Sequence, residues 1–297
     1  MPMAPVNNIE LCYKTFGDPT NEPILLVMGY TAQMIVWPDE MIDDLVERGF
    51  HVVIFDNRDS GLSTKSDGPP PDVMSLLARG LAGETIASHE VAYTLSDMAA
   101  DAVGLLDHLG IDSAHVVGVS MGGMIVQTLA FEHTHRLRSV TSISSTTGDI
   151  EVGQPTPEAL EALLKPPPED YEAIIAQNVE TGRVLAGPLF DENRAAERAR
   201  DTLERNFHPI GAAFQLAAMG ASGDRTEHLS SVDLPFLVIH GGKDDLIQVS
   251  GGHATAAAVP KADLVVLDAM GHDLPVPLLP QITAAIEAIA RRTALAY

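Results

Sequence analysis

The stretch His115-Val116-Val117-Gly118-Val119-Ser120-Met121-Gly122-Gly123-Met124 decides how this chain folds. Residues 115–119 are nearly all apolar and rich in β-branched side chains, as in a strand buried on both faces. Residues 124–132 then take up helical character, leaving only a serine framed by glycines between the two. An ordinary helix cap needs the serine but not the flanking glycines. A strand that turns into a helix this abruptly strains the serine's backbone and lifts its hydroxyl above the sheet. Gly118 and Gly122 stand where side chains would collide with the neighbouring strand and helix. The helix N-terminus adds unpaired N–H groups and a positive dipole end beside that hydroxyl.

Outward from this turn, further apolar runs lie at 24–28, 52–55, 140–144, 236–239 and 264–267, with 9–15 as an additional edge strand. Amphipathic segments separate them. In 94–109, Leu95, Met98, Ala102, Leu105, Leu106 and Leu109 recur at helical spacing behind a Thr94/Asp97 capping box, and Gly110 stops the helix. Residues 37–48 and 276–291 read as further helices. Such alternation predicts an α/β fold, a mostly parallel sheet covered by helices on both faces. From 146 to 232 the alternation stops, and helical patterns at 171–180, 191–205 and 210–219 are broken by Pro166-Pro167-Pro168, Gly187-Pro188 and His208-Pro209. The expected organisation is therefore a core of 1–145 and 233–297 with a helical cap of 146–232 over the C-terminal edge of the sheet, where α/β proteins bind ligands.

The Gly118–Gly122 turn in its strand–turn–helix setting resembles the nucleophile elbow of the α/β-hydrolase family. Other motifs fall in the same order: Met28-Gly29-Tyr30 after an early strand, Asp56-Asn57-Arg58-Asp59-Ser60-Gly61-Leu62-Ser63 after the next, His240-Gly241-Gly242-Lys243-Asp244, and Gly271-His272. Within the family, the chain is most similar to bacterial carboxylesterases of the aclacinomycin-methylesterase-like and actinobacterial lipase/esterase kind. The resemblance implies a serine hydrolase with Ser120 as nucleophile, His272 as base and Asp244 as orienting acid. It also implies an oxyanion hole made by the N–H groups of Tyr30 and Met121.

The residues carry the same chemistry on their own terms. A serine hydroxyl attacks only if a base takes its proton. Of the eleven histidines, His272 follows the last apolar run directly and lies beyond the acid, in the order Ser, Asp, His. Its carboxylate partner lies after the 236–239 run, where Asp244 and Asp245 are chemically equivalent and spacing does not choose; the family pattern favours Asp244. His240 reads as a residue that shapes the acid turn. Asp268 and Asp273, close to His272 in sequence, are expected to face solvent. Met28 replaces the histidine usual in the family, removing a polar residue that orders the loop.

Met28, Met34, Trp37 and Met124 cluster near the site in sequence and are candidate substrate contacts suited to an apolar group of variable shape. Leu160, Ile174, Ile175, Phe207, Phe214 and Met219 are candidates for a roof, equally consistent with cap core. The expected substrate is a small-molecule carboxylic ester. Thioester, lactone or C–C bond cleavage and perhydrolysis are runner-up chemistries on the same site. A non-enzymatic sensor that keeps the fold is the reading from another class.

Composition sets outer bounds. Lys and Arg number 18 against 41 Asp and Glu, a formal charge of −23. That surplus disfavours nucleic acid and anionic membrane surfaces, which attract clustered cations. The lone Cys12 forms no internal disulfide, and the His133/His135 pair lacks the spacing that completes a metal set, so no metal and no cofactor are expected. No 18-residue apolar run and no basic-then-apolar leader are present, so the sequence reads as a cytoplasmic protein without an integral membrane segment.

Overall fold

A computed structural model describes residues 1–292. The last five positions of the expected core, 293–297, lie outside the described residues. Among the described residues, eight strands form one sheet: β1 (Met3–Val6), β2 (Ile9–Phe16), β3 (Glu22–Val27), β4 (Phe50–Phe55), β5 (Ala114–Val119), β6 (Leu137–Ile143), β7 (Phe236–Gly241) and β8 (Asp263–Leu267). Their order is β1-β2-β4-β3-β5-β6-β7-β8. β2 pairs antiparallel with β1 and β4, and every later pairing is parallel.

Two strand expectations change. β2 is not the edge, because Met3–Val6 pairs outside it through a tight hairpin. Asn7 and Asn8 adopt φ 44° and 65° in that two-residue turn, the left-handed conformation that asparagine tolerates best after glycine. The 264–267 run is not buried on both faces. β8 closes the other edge of the sheet, where Leu264 and Val265 are half-buried and Val266 is exposed.

The helices are α1 (Asp39–Glu47), α2 (Val73–Leu81), α3 (Leu95–His108), α4 (Met121–Glu132), α5 (Pro157–Leu164), α6 (Tyr171–Leu185), α7 (Glu192–Arg205), α8 (Gly211–Ser222), α9 (Thr226–Leu229), α10 (Val249–Ala258) and α11 (Leu279–Arg291). The Thr94/Asp97 capping box opens α3 as expected. α1 starts two residues later than the periodicity suggested, because Trp37 and Pro38 pack inward after a 3-10 turn at Met34–Val36. α2, which the apolar periodicity does not announce, is capped by the Asp72 carboxylate on the Ser75 N–H at 3.1 Å.

Successive strand residues alternate between two cores, as the pleat requires. Leu25, Val27, Val53, Val116, Val140 and Val238 face α3 and α4, whereas Ile24, Leu26, Val52, Val117, Leu237 and Ile239 face α1 and α11. Between β6 and β7 the described chain is helical, from α5 to α9. Within that insertion α8 sinks Phe214 and Ala218 into the same cluster as α3 and α4. Its position is therefore set by the core itself. Among the described residues no helix is long and apolar enough to cross a membrane.

Candidate active site

Parallel pairing brings several strand ends to one edge. Val119 is level with Ile143, Ile143 with Ile239, and Gly241 with Leu267. The loops carrying Ser120, Asp244 and His272 consequently leave the sheet on the same side.

Ser120 has φ 57° and ψ −119°, a backbone region that is costly for any residue with a β-carbon. Close packing holds it there. A β-carbon on Gly118 would lie 2.0 Å from the Gly122 carbonyl oxygen, and one on Gly122 would lie 2.0 Å from the Val27 carbonyl oxygen. The serine N–H donates to the Ile143 carbonyl at 2.9 Å, and its own carbonyl accepts from Met124 at 3.2 Å. Its hydroxyl does not cap α4. The side chain thus has no structural task in the helix it precedes.

His272 Nδ1 lies 2.8 Å from Asp244 Oδ2, with the carboxylate fully buried and the imidazole about one-tenth exposed. The other carboxylate oxygen accepts from the N–H groups of Leu246 at 3.0 Å and Ile247 at 2.8 Å. With Nδ1 as donor to Asp244, Nε2 is left as the acceptor at the far side of the ring. Asp245 is exposed, and its backbone carbonyl accepts from the Thr156 N–H at 2.9 Å. The structure therefore brings Asp244 and His272 together and leaves Asp245 outside. It forms no hydrogen bond between His272 and Ser120, a contact that in substrate-free enzymes is often long and tightens on binding.

His240 is buried behind the acid and donates through Nε2 to the Ile247 carbonyl at 2.7 Å. Burial pulls its pKa below the ordinary histidine value, so it supports the turn as a neutral ring. Asp268 is exposed as expected, but Asp273 is not a solvent-facing residue. It accepts from the Gly271 N–H at 3.1 Å where Gly271 packs on Gly187, and burial pushes its carboxyl upward. The His272 N–H donates to the Leu185 carbonyl at the end of α6, at 2.8 Å.

Gly29 lies against the nucleophile turn: a β-carbon there would sit 3.1 Å from the Ser120 β-carbon. Neither Tyr30 nor Met121 uses its backbone N–H in a hydrogen bond among the described residues. Burial pushes the Tyr30 phenol up to about 12, so its side chain stays neutral. The order that Met28 does not supply comes from elsewhere. Asn57 Nδ2 donates to the Met28 carbonyl at 2.9 Å, and Ser60 Oγ to the Ala32 carbonyl at 2.9 Å.

The expected substrate contacts divide sharply. Met34 and Trp37 are 0% and 1% exposed and, with the nearly buried Met28, pack against Ile24, Leu26, Met41 and Leu279. They are core, because the chain beyond Tyr30 turns back under α1. Met124 instead lines a cavity of about 600 Å³ between α2, α8 and the start of α4, together with Leu76, Ile86, Ile150, Leu216 and Met219. Ser120 and His272 are not on its wall; Met124 is one helical turn beyond the serine, its N–H donating to the Ser120 carbonyl at 3.2 Å. Of the expected roof residues Met219 faces this cavity, Phe214, Ile174 and Ile175 are buried, and Leu160 and Phe207 are exposed.

Periodicity gives no sign of the α2 wall, of Asn57, or of Gln215, whose Oε1 accepts from the Thr31 N–H at 2.7 Å next to Tyr30. The one available signal for Gln215 is an amide inside the apolar run Phe214-Gln215-Leu216-Ala217-Ala218.

A strained serine between a parallel strand and a helix, with a buried aspartate–histidine pair on the same edge, defines a hydrolase class. The family model described as alpha/beta hydrolase fold matches residues 22–206, and the chain belongs to that family. The chain is similar over nearly its whole length to two curated proteins. The rhodomycin D methylesterase DnrP of Streptomyces peucetius is 28% identical over 98% of this chain and 99% of its own. The rhodomycin D methylesterase DauP of Streptomyces sp. strain C5 is 26% identical over 97% of each. Among solved structures, the enol-lactonase of Burkholderia xenovorans LB400 shares the fold with a TM-score of 0.73, at 23% identity over 97% of this chain and 99% of that one.

Proposed function

We propose that this chain, a carboxylic ester hydrolase of the α/β-hydrolase fold, cleaves small to medium apolar esters through Ser120, His272 and Asp244. His272 Nε2 takes the Ser120 proton as the oxygen attacks the ester carbonyl, and Asp244 holds the imidazole in the accepting tautomer and stabilises the imidazolium. The Tyr30 and Met121 N–H groups receive the oxyanion of the tetrahedral intermediate. The alcohol leaves with the proton from His272, and water then releases the acyl group by the same steps in reverse roles. No step calls for a cofactor. Residues 146–232 act as the cap over this edge, and the cavity beside Met124 receives the larger apolar part of the ester. The methylesterase relatives support a small alcohol as the leaving group.

The observation that carries this reading is the 2.8 Å Asp244–His272 pair on the same edge as a serine whose hydroxyl does not cap its own helix. The test is covalent labelling by a fluorophosphonate probe together with initial rates on p-nitrophenyl esters of increasing acyl length. Labelling at Ser120 and turnover that disappears in Ser120→Ala are expected. Turnover that survives Ser120→Ala refutes the assignment, and labelling without turnover on any ester points instead to a sensor.

A further inference from the structure

The loop that presents Tyr30 is a four-residue turn, closed by the Ala32 N–H donating to the Gly29 carbonyl at 3.3 Å. Thr31 occupies its third position with φ 58°, where glycine or asparagine is usual and a β-branched residue is strained. A threonine does not choose that conformation unaided. The strain at Thr31 is relieved if the middle peptide, Tyr30–Thr31, rotates and Thr31 returns to negative φ, a change the rest of the turn, Tyr30 included, has to accommodate.

The structure shows what opposes the flip. The Thr31 N–H donates to Gln215 Oε1 at 2.7 Å, while Gln215 Nε2 donates to the Arg58 carbonyl at 2.9 Å. Gln215 is 0% exposed, on a helix anchored in the core by Phe214 and Ala218. Each end of its amide meets the one partner it can serve, an N–H for the oxygen and a carbonyl for the nitrogen. A flipped peptide would aim the Tyr30 carbonyl oxygen at Gln215 Oε1, acceptor against acceptor.

We infer that Gln215 is a positioning residue for the oxyanion hole: it holds the Tyr30–Thr31 peptide in its strained orientation, and with it the donor N–H on the other side of Tyr30. This rests on the ester-hydrolase reading, in which Tyr30 supplies one of two oxyanion donors. It makes a helix of the β6–β7 insertion part of the catalytic geometry. Misplacement of about 1 Å at such a group costs on the order of 10²-fold in rate.

The test replaces Gln215 by Met, which fills a similar volume and removes both hydrogen bonds, and by Asn, which keeps the amide but shortens its reach. Either folded variant is expected to lose about 10- to 100-fold in kcat with KM changed less than about threefold. Affinity for an arylboronic acid, whose adduct with the serine carries the oxyanion, is expected to fall by the same factor. Adding Thr31→Gly, which makes positive φ free of strain, is expected to restore at least about tenfold of the lost kcat. A purely structural role would lower thermal stability without that rescue. Wild-type kcat in both Gln215 variants, or a loss that Thr31→Gly leaves untouched, overturns the inference. If instead Ser120→Ala retains full turnover, the underlying hydrolase reading fails, and the two failures are distinguished by that control.

Discussion

Replacing Asp244 with Asn tests the whole proton path through one atom. Asp244 uses one oxygen to accept from Leu246 and Ile247 at 3.0 and 2.8 Å, and the other to accept from His272 Nδ1 at 2.8 Å. An asparagine must choose which partner meets its NH₂. Turning the NH₂ toward the two backbone N–H groups would leave buried donors facing donors, at about 1–3 kcal/mol for each unsatisfied group. Its oxygen therefore stays with the backbone, and the NH₂ faces His272. The imidazole must then accept at Nδ1 and carry its proton on Nε2, the tautomer that cannot take the Ser120 proton. The expected loss is about 10⁴-fold in kcat, or roughly 5 kcal/mol of transition-state stabilisation. Because both backbone contacts survive, the melting temperature should move by only a few degrees. Asp245→Asn, at an exposed side chain, should stay within about twofold of wild type. The assay is initial rate on a p-nitrophenyl ester, normalised by active-site titration. An Asp244→Asn enzyme within tenfold of wild type, or equal mild losses at both positions, would show the reasoning to be wrong.

Two further outcomes follow from packing and titration. Gly122→Ala would force a β-carbon to 2.0 Å from the Val27 carbonyl oxygen and 2.8 Å from that of Met28, both of them backbone atoms with little room to yield. A cost of about 3 kcal/mol is expected, seen calorimetrically as a fall of roughly 5 °C, whereas Gly80→Ala in α2 meets nothing within 4 Å and should be neutral or slightly stabilising. An unchanged melting temperature in Gly122→Ala would contradict the close contact. His115, buried against Ser139 Oγ at 2.8 Å, has its pKa lowered to about 4 by desolvation. In the unfolded chain this ring gains its proton near pH 6.5, while the folded ring stays neutral down to about 4. Stability is therefore lost as pH falls through that window, by about 2 kcal/mol at pH 5. Urea unfolding of wild type and His115→Gln at pH 7 and pH 5 checks this, and identical pH dependence in the two would exclude His115 as the source.

Local patterns along the chain carry the α/β class, the tight turn at Ser120 and the chain order of the catalytic candidates. Those features rest on local physics: apolar runs of strand length, a helix stop, and glycines packed where no side chain fits. His240, read from its place at the end of a strand as shaping the acid turn, is buried with Nε2 2.7 Å from the Ile247 carbonyl. The remaining choices depend on partners distant along the chain. Asp244 and Asp245 are equivalent as residues, and the choice came from which carboxylate the turn buries beside His272. Met34 and Trp37 lie near Tyr30 in sequence but pack beneath α1, because a chain that reverses direction carries neighbours to opposite faces of the sheet. Gln215 is an ordinary helical glutamine until folding sets it between Thr31 and Arg58, 184 and 157 positions away along the chain. Periodicity reports which face of an element is apolar. It does not report what that face will meet.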